Sequence, residues 1–339
     1  MTSALQPYLA AIEKELRAAL TSPRDDLQPF YDMLAYHLGW LDAGFRPVSA
    51  ETGKRVRPLL CLLACEAAGG DWHSALPAAA ALELVHNFSL IHDDIEDRSD
   101  TRRGRTTLWR LWGLSQGINA GDGMLVLASQ ALSGIRECGS DPALTLDCIN
   151  ILHDTVLSLC HGQYLDIAFE AHLDVSEELY LQMIGGKTAS LLAASAQLGA
   201  AIGQAGGAVE HYRQFGWQLG MAFQMVDDIL GIWGDSSVTG KPAAADILNR
   251  KMTLPVIFAL RSTPLGSELI DLYRQDHLGA ENISLAMSIL HRVQAREYTQ
   301  QLAARYEASA LIDLAAASPR EPAATHLRAL ASSLTGRQK

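Results

Sequence analysis

The sequence predicts an all-α fold, a single antiparallel helical bundle, and three observations carry that prediction. Apolar residues recur at spacings of three and four along almost the whole chain, the pattern of helices with one buried face. Gly and Pro fall mostly between those stretches, at Pro47, Gly69, Gly70, Gly104, Gly139, Pro142, Gly240, Pro242 and Pro264. No run of alternating β-branched residues competes with them.

Taken in order, the first helix is expected over 4–20. It reaches Glu13, Lys14 and Glu15 before any long apolar stretch, so it is an amphipathic helix and not a signal peptide. Helices follow over 27–42 and 54–68, the second opened by Glu51 to Pro58 with Thr52 as its N-cap. Periodicity then predicts 74–97, 118–137, 143–170 and 176–202. Within the last of these, Gly185 and Gly186 cost roughly 1 kcal/mol each relative to Ala, which points to a kink that aims Lys187 inward. The remaining helices are expected over 208–233, 252–262, 265–274, 281–309 and 321–334. The uncharged segment from Thr188 to Val209 is long enough to span a bilayer, yet it is built largely of Ala, Gly, Ser and Gln. It therefore reads as a buried helix whose small residues suit close packing on a neighbouring helix or subunit, and no membrane span is expected. No linker or charge run marks a boundary, so residues 1–339 read as one domain.

With 339 residues and 48% of them apolar, the chain has ample material for a core. A formal net charge of −11, with 27 Lys and Arg against 38 acids, excludes a nucleic-acid surface, which needs a basic stripe. Cys61, Cys65, Cys138, Cys148 and Cys160 show no metal-binding spacing and read as reduced core thiols of a cytoplasmic protein.

Two aspartate pairs on apolar helical segments carry the chemistry. Asp93-Asp94 and Asp227-Asp228 are flanked by Leu, Ile, Met and Val, and paired carboxylates there call for a compensating charge. Hard cations such as Mg2+ supply it. At roughly 100° per residue, Asp93 and Asp97 share one helix face with Asp94 on the flank. The second copy is incomplete, because Gly231 stands where Asp97 has its counterpart; Asp235 lies about two turns after Asp227. The two segments fit carboxylate clusters facing each other across a bundle core. The pattern points to a metal-clamped diphosphate enzyme.

Basic residues supply the complementary half. Lys54, Arg55 and Arg57 crowd a first helical turn, where cations oppose the helix dipole unless an anion is bound; Lys54 and Arg57, on nearly one face, would cradle a diphosphate. His86 lies on the Asp93 face about 10 Å back along the axis. Arg102 and Arg103 follow the first aspartates and can bind phosphate bidentately. Gln163 and Asp166 stand one turn apart on a long helix, and Lys241, Asp246 and Lys251 fall in a Gly-, Pro- and Ala-rich loop suited to a lid.

Jointly, from about residue 50 to residue 260, these motifs resemble the trans-isoprenyl diphosphate synthases, the group of farnesyl and geranylgeranyl diphosphate synthases. The resemblance implies an isoprenoid synthase-type bundle around a deep central cavity. It implies three Mg2+ ions, with Mn2+ as a substitute: two on Asp93 and Asp97 and a third on Asp227, with Asp228 helping through water and Asp94 beside the first pair. Arg102, Lys187 and Lys241 would contact the allylic diphosphate, and Lys54, Arg57, His86 and Arg103 would bind isopentenyl diphosphate. Thr188 and Gln224 would lie beside the carbocation, with Gln163, Asp166, Asp246 and Lys251 in support. Phe88 and Ser89, five and four residues before Asp93, resemble the geranylgeranyl type, so a C20 product is favoured and C15 comes next. A homodimer is implied as well. Two alternatives stand beside this reading: a terpene cyclase on the same scaffold, which has no use for the isopentenyl diphosphate residues, and a non-catalytic subunit of a heteromeric synthase, which predicts eroded aspartates.

Overall fold

The computed structural model describes residues 3–48, 50, 53–170, 172–234, 244–262, 264–275 and 278–336. The described residues are overwhelmingly helical, as the periodicity predicts, and they fall into two compact units.

The first unit comprises Met1–Asp154, Ala194–Val209 and Pro319–Leu327. It contains α1 (Gln6–Ala19), α2 (Gln28–His37), α3 (Val56–Ala68), α4 (Leu76–Glu96), α5 (Leu108–Trp112), α6 (Leu114–Ser133) and the first part of α7 (Pro142–Phe169). Its centre is α4, which packs on α6, α3 and α1. Seven consecutive residues of α4, Ala78 to Leu84, are buried, as expected of a helix that is apolar on every face. α3 differs from expectation at its start: it begins at Val56 behind a left-handed Arg55 (φ 47°), so Lys54 precedes the helix and shares no helical face with Arg57. Thr52, the expected cap, lies outside the described residues. A second difference is a two-residue hairpin, Thr101–Arg102 (β1) against Arg105–Thr106 (β2), turned by Arg103 and Gly104, both at positive φ. So short a ladder leaves no period for the sequence to display. α5 was likewise too short for a periodic signal.

The second unit comprises Thr155–Ala193, Glu210–Ser318 and Arg328–Lys339. α8 (Glu177–Ile184) is capped by Ser176, whose hydroxyl accepts from the Leu179 amide at 3.1 Å. It runs through a π-helical turn at Gly185–Ala189 into α9 (Ser190–Ile202). The interruption expected at Gly185-Gly186 is thus a π turn. α10 (Val209–Trp233) follows, then α11 (Ala245–Leu248), α12 (Leu254–Leu260), α13 (Leu265–Tyr273), α14 (Ala280–Arg292), α15 (Ala295–Ala316) and α16 (Ala323–Thr335). The helix expected over 281–309 is broken at Val293 and Gln294, the latter left-handed (φ 58°). Tyr180, Met225, Leu254, Ile257, Ile289 and Leu290 form the middle of this unit's core.

Small residues act here as helix-to-helix contacts. In the first unit a Cβ on Gly199 would lie 2.1 Å from the Cys61 carbonyl oxygen; in the second, one on Gly216 would lie 2.4 Å from that of Leu192. The segment from Thr188 to Val209 is therefore not one span. It divides among the π turn, α9 and a 3-10 turn at Gly206–Ala208. By length and composition Trp72–Glu96 and Pro142–Phe169 are apolar enough to cross a membrane, the first of them mostly buried within the protein. None of the five cysteines forms a disulfide. Cys61, Cys65 and Cys148 are core thiols as expected, but Cys138 and Cys160 are exposed.

Candidate active site

Each acidic motif divides its aspartates between two environments. Asp93 is half-buried near the C-terminal end of α4 and Asp97, its C-cap, is exposed one turn later, with the Asp97 amide donating to the Asp93 carbonyl at 2.8 Å. Asp94 points inward, 2% exposed, and its Oδ1 accepts from Arg102 Nε at 2.7 Å. Burial lifts the Asp94 carboxyl to about 6; the Arg102 cation opposes the rise, and the charges of Asp93 and Asp97 add to it.

On α10 the same division recurs. Asp227 is exposed, whereas Asp228 is 4% exposed and tied on both oxygens: Oδ2 accepts from Tyr180 Oη at 2.6 Å and from the Leu254 amide at 2.9 Å, and Oδ1 accepts from Gln224 Nε2 at 3.0 Å. Burial pushes Asp228 up to about 7 against those three hydrogen bonds, and the Asp246 carboxylate pushes it further. Asp228 is thus engaged in joining α10 to α8 and to the start of α12.

The second unit also carries seven of the other predicted residues: Gln163, Asp166, Lys187, Thr188, Gln224, Asp246 and Lys251. Lys187 Nζ pairs with Asp166 Oδ2 at 2.5 Å, and Thr188 Oγ1 donates to Gln224 Oε1 at 2.7 Å, both from the π turn. α7 approaches that turn closely, since a Cβ on Gly162 would lie 2.1 Å from the Lys187 amide nitrogen. Gln163 and Lys251 are half-buried; Asp246 is buried on α11. Lys241 and Asp235 lie outside the described residues.

In the first unit several of the predicted basic residues act on one another. His86 is held well below its ordinary pKa by burial and then by Arg57, Arg103, Arg102 and His37. Burial and Arg103 pull Arg57 down to about 10 although Glu83 opposes them, and Arg57 Nε is buried with no hydrogen-bond partner among the described residues. Arg103 sits over Gly53, where a Cβ would lie 3.0 Å from its guanidinium. Lys54 is exposed. A bound anion would relieve cations that depress one another in this way. Phe88 is buried edge-on to His92 at 5.6 Å between ring centres, and Ser89 Oγ donates to the His86 carbonyl at 2.8 Å.

Several supporting residues have no signal in the sequence. Arg55, expected as part of the basic turn, is instead buried and paired with Glu83 at 2.7 Å and Glu13 at 3.4 Å. Tyr180 and Glu83 look like ordinary core-helix residues until their partners are known. Arg105 donates to the carbonyls of Tyr36 and Leu41, bracing the hairpin that carries Arg102 and Arg103; a third arginine in that turn was the available clue.

The donor set fits Mg2+. Among the described residues no three His, Cys, Asp or Glu side chains close around one point. Asp93 and Asp97 in the first unit and, separately, Asp227 in the second offer hard carboxylate oxygens that reach solvent, the donor chemistry of an ion that completes its shell with water and phosphate.

The polyprenyl synthetase family profile matches residues 39–290. The (2E,6E)-farnesyl diphosphate synthase of Mycobacterium tuberculosis strain H37Rv is 41% identical over 84% of this chain and 78% of its own length. The geranylgeranyl diphosphate synthase of the same strain is 42% identical over 76% and 73%. Among solved structures, a polyprenyl synthetase from Streptomyces coelicolor A3(2) covers 98% of this chain and 99% of its own, with a TM-score of 0.89 at 34% identity. The chain therefore belongs to the polyprenyl synthetase family and is one of its prenyltransferases.

Proposed function

We propose that the protein condenses isopentenyl diphosphate head-to-tail with an allylic diphosphate to give a short all-trans prenyl diphosphate, C20 in preference to C15. The whole chain acts as one synthase domain in the cytoplasm. Asp93 and Asp97 would hold two Mg2+ ions and Asp227 a third. Bound there, the ions supply the positive charge that stabilises a departing diphosphate.

The chain's own residues account for the rest. Arg102, Lys187 and Lys241 bind the allylic diphosphate; Arg102 and Lys187 are each held by a carboxylate, Asp94 and Asp166, ready to be exchanged for phosphate oxygens. Lys54, Arg57, His86 and Arg103 hold isopentenyl diphosphate. The allylic C–O bond ionises, the alkene attacks, and a proton passes to the released diphosphate, so no covalent protein intermediate is needed. Thr188 and Gln224, bonded to each other at 2.7 Å, would lie beside the carbocation and stabilise it through their oxygen dipoles. Phe88 bounds the tail of the product.

The observation that carries this reading is the buried basic cluster in which Arg57 and Arg103 act on His86 and Arg103 acts on Arg57. A terpene cyclase needs one diphosphate site, and the cluster supplies a second. A homodimer is supported by exposed apolar side chains on α6, Leu114, Ile118 and Val126, which a second copy would cover.

The test is to incubate the purified chain with Mg2+, isopentenyl diphosphate and the C5, C10 or C15 primer and to measure product length. Elongation to C20 that stops on chelation supports the proposal. Hydrocarbon formed from geranylgeranyl diphosphate alone, with no elongation of any primer, overturns it.

A further inference from the structure

The helix that carries Asp227 has a second face with no part in the chemistry described so far. Val226, Ile229, Leu230 and Trp233 recur along α10 at spacings of three and four, so they share one side of it. With α15 and the end of α16 they line a pocket of about 380 Å³, within the range of about 300–1,000 Å³ that suits a small molecule. The α15 wall is formed by Arg296, Gln300, Ala303, Ala304 and Glu307, and every lining residue belongs to the second unit. Asp227, about 100° round the helix from Val226, is not part of the lining.

Arg296 gives the pocket its chemistry. Its Nε is buried, and among the described residues nothing accepts that hydrogen. An unmet buried donor costs free energy that a bound acceptor removes. The guanidinium lies over Trp233, 5.8 Å from the ring centre, a contact that places it above the apolar floor and uses no hydrogen bond. Gln300 follows one turn later on α15. The Thr335 hydroxyl, by contrast, already donates to the Ala331 carbonyl at 3.1 Å. Glu307 stands at the far end, roughly 16 Å along the α15 axis from Arg296, where its carboxylate would repel an anion. We propose that this pocket binds an amphipathic monoacid, whose carboxylate or phosphate monoester head is received by Arg296 and Gln300 while its apolar chain lies over Val226, Ile229, Leu230 and Trp233. A lone guanidinium with a carboxylate further along suits one acid group, and so selects against the diphosphates that the aspartates and basic cluster take.

The test is direct binding to the full chain, read calorimetrically with chelator present so that no Mg2+ bridges a ligand to the aspartates. Decanoate and decyl phosphate are titrated below their micelle concentrations, with decylammonium and decanol as the matched cation and neutral chain. One or both anions should saturate at one per chain, and whichever binds more tightly names the head group; decylammonium and decanol should bind about tenfold more weakly or not at all. Arg296→Gln, which keeps the length and removes the charge, should weaken the anion about tenfold and leave decanol unchanged. Ala304 is exposed at the pocket wall, so Ala304→Phe narrows the pocket without entering the core and should block the anion. Binding should also change the protein's tryptophan fluorescence, and Trp233→Phe should remove that change while the heat of binding persists. Failure of both anions to saturate overturns the proposal, as does decylammonium binding as tightly as they do, or anion binding that survives either Arg296→Gln or Ala304→Phe undiminished. If Arg296→Gln does not fold, Ala304→Phe decides.

Discussion

Removing one hydroxyl, in Tyr180→Phe, should weaken the protein by an amount that depends on pH. Tyr180 is 1% exposed and its hydroxyl donates to Asp228 at 2.6 Å; burial keeps the phenol protonated far above neutrality, so it remains a donor throughout the range. Asp228 titrates near 7 in the folded chain against 3.8 as its ordinary value. A folded pKa raised in this way means that the folded state binds the proton more tightly. The stabilising effect is complete below about pH 4 and is lost as pH rises through about 7. Roughly three pH units at about 1.4 kcal/mol each make that loss about 4 kcal/mol for the metal-free protein. Above pH 7 the Tyr180 hydroxyl donates to a carboxylate, a hydrogen bond worth about 1.5–3 kcal/mol; below pH 6 it bonds a neutral acid, worth about 0.5–1.5 kcal/mol. Tyr180→Phe should therefore cost about 1 kcal/mol more at pH 8 than at pH 5. Urea unfolding with chelator present, at both pH values, measures the difference, and Asp228→Asn supplies the reference that should flatten the 4 kcal/mol slope. Equal costs at the two pH values, or a wild-type profile parallel to that of Asp228→Asn, would refute the reasoning.

Four further outcomes are expected. Asp93→Ala or Asp97→Ala should lower turnover on the order of a thousandfold, read as radiolabelled isopentenyl diphosphate incorporated, since a charge-stabilising group at the reacting centre is worth that much. Arg55→Ala leaves Glu83 buried and unpaired and should cost about 3–5 kcal/mol in chemical denaturation. Gly162→Ala drives a methyl into the Lys187 amide, so it should destabilise the fold by about 1–3 kcal/mol and lower turnover more than tenfold while the helical content by circular dichroism is kept. Val126→Glu, a charge on the exposed apolar stripe of α6, should shift the chain to monomer in sedimentation equilibrium.

What could be read from the sequence was what repeats along it. The helices with apolar stripes, the one-turn spacing of Asp93 and Asp97, and the paired glycines ahead of Lys187 are local patterns, and each is present in the structure. What could not be read depends on partners far apart in the chain. Arg55 belongs to a basic run in sequence, yet Glu83 on another helix pairs with it. The two aspartates of each pair are identical in sequence and differ in the fold, because Arg102 claims Asp94 and Tyr180 with Leu254 claims Asp228. Gly231 leaves the second motif incomplete in sequence, yet in the fold a Cβ there would lie 1.8 Å from Asp246 Oδ2. The hairpin of Arg102 and Arg103 was hidden by its brevity, and the break at Gln294 falls within unbroken apolar periodicity.

The π turn at Gly185–Ala189 has a consequence for the chain's history and for its redesign. A π turn is one residue more than an α-helix needs to cover the same rise, so the segment from Glu177 to Ile202 behaves as a regular helix carrying a single insertion. Deleting one residue there would let the hydrogen-bond ladder heal into an ordinary helix and fold without protest. The flanking helices would keep nearly their present orientation while the residues within the turn change face, so Lys187 and Thr188 could no longer both keep Asp166 and Gln224. Such a variant would be well folded and inert, a case in which stability selects against the very irregularity that the chemistry keeps.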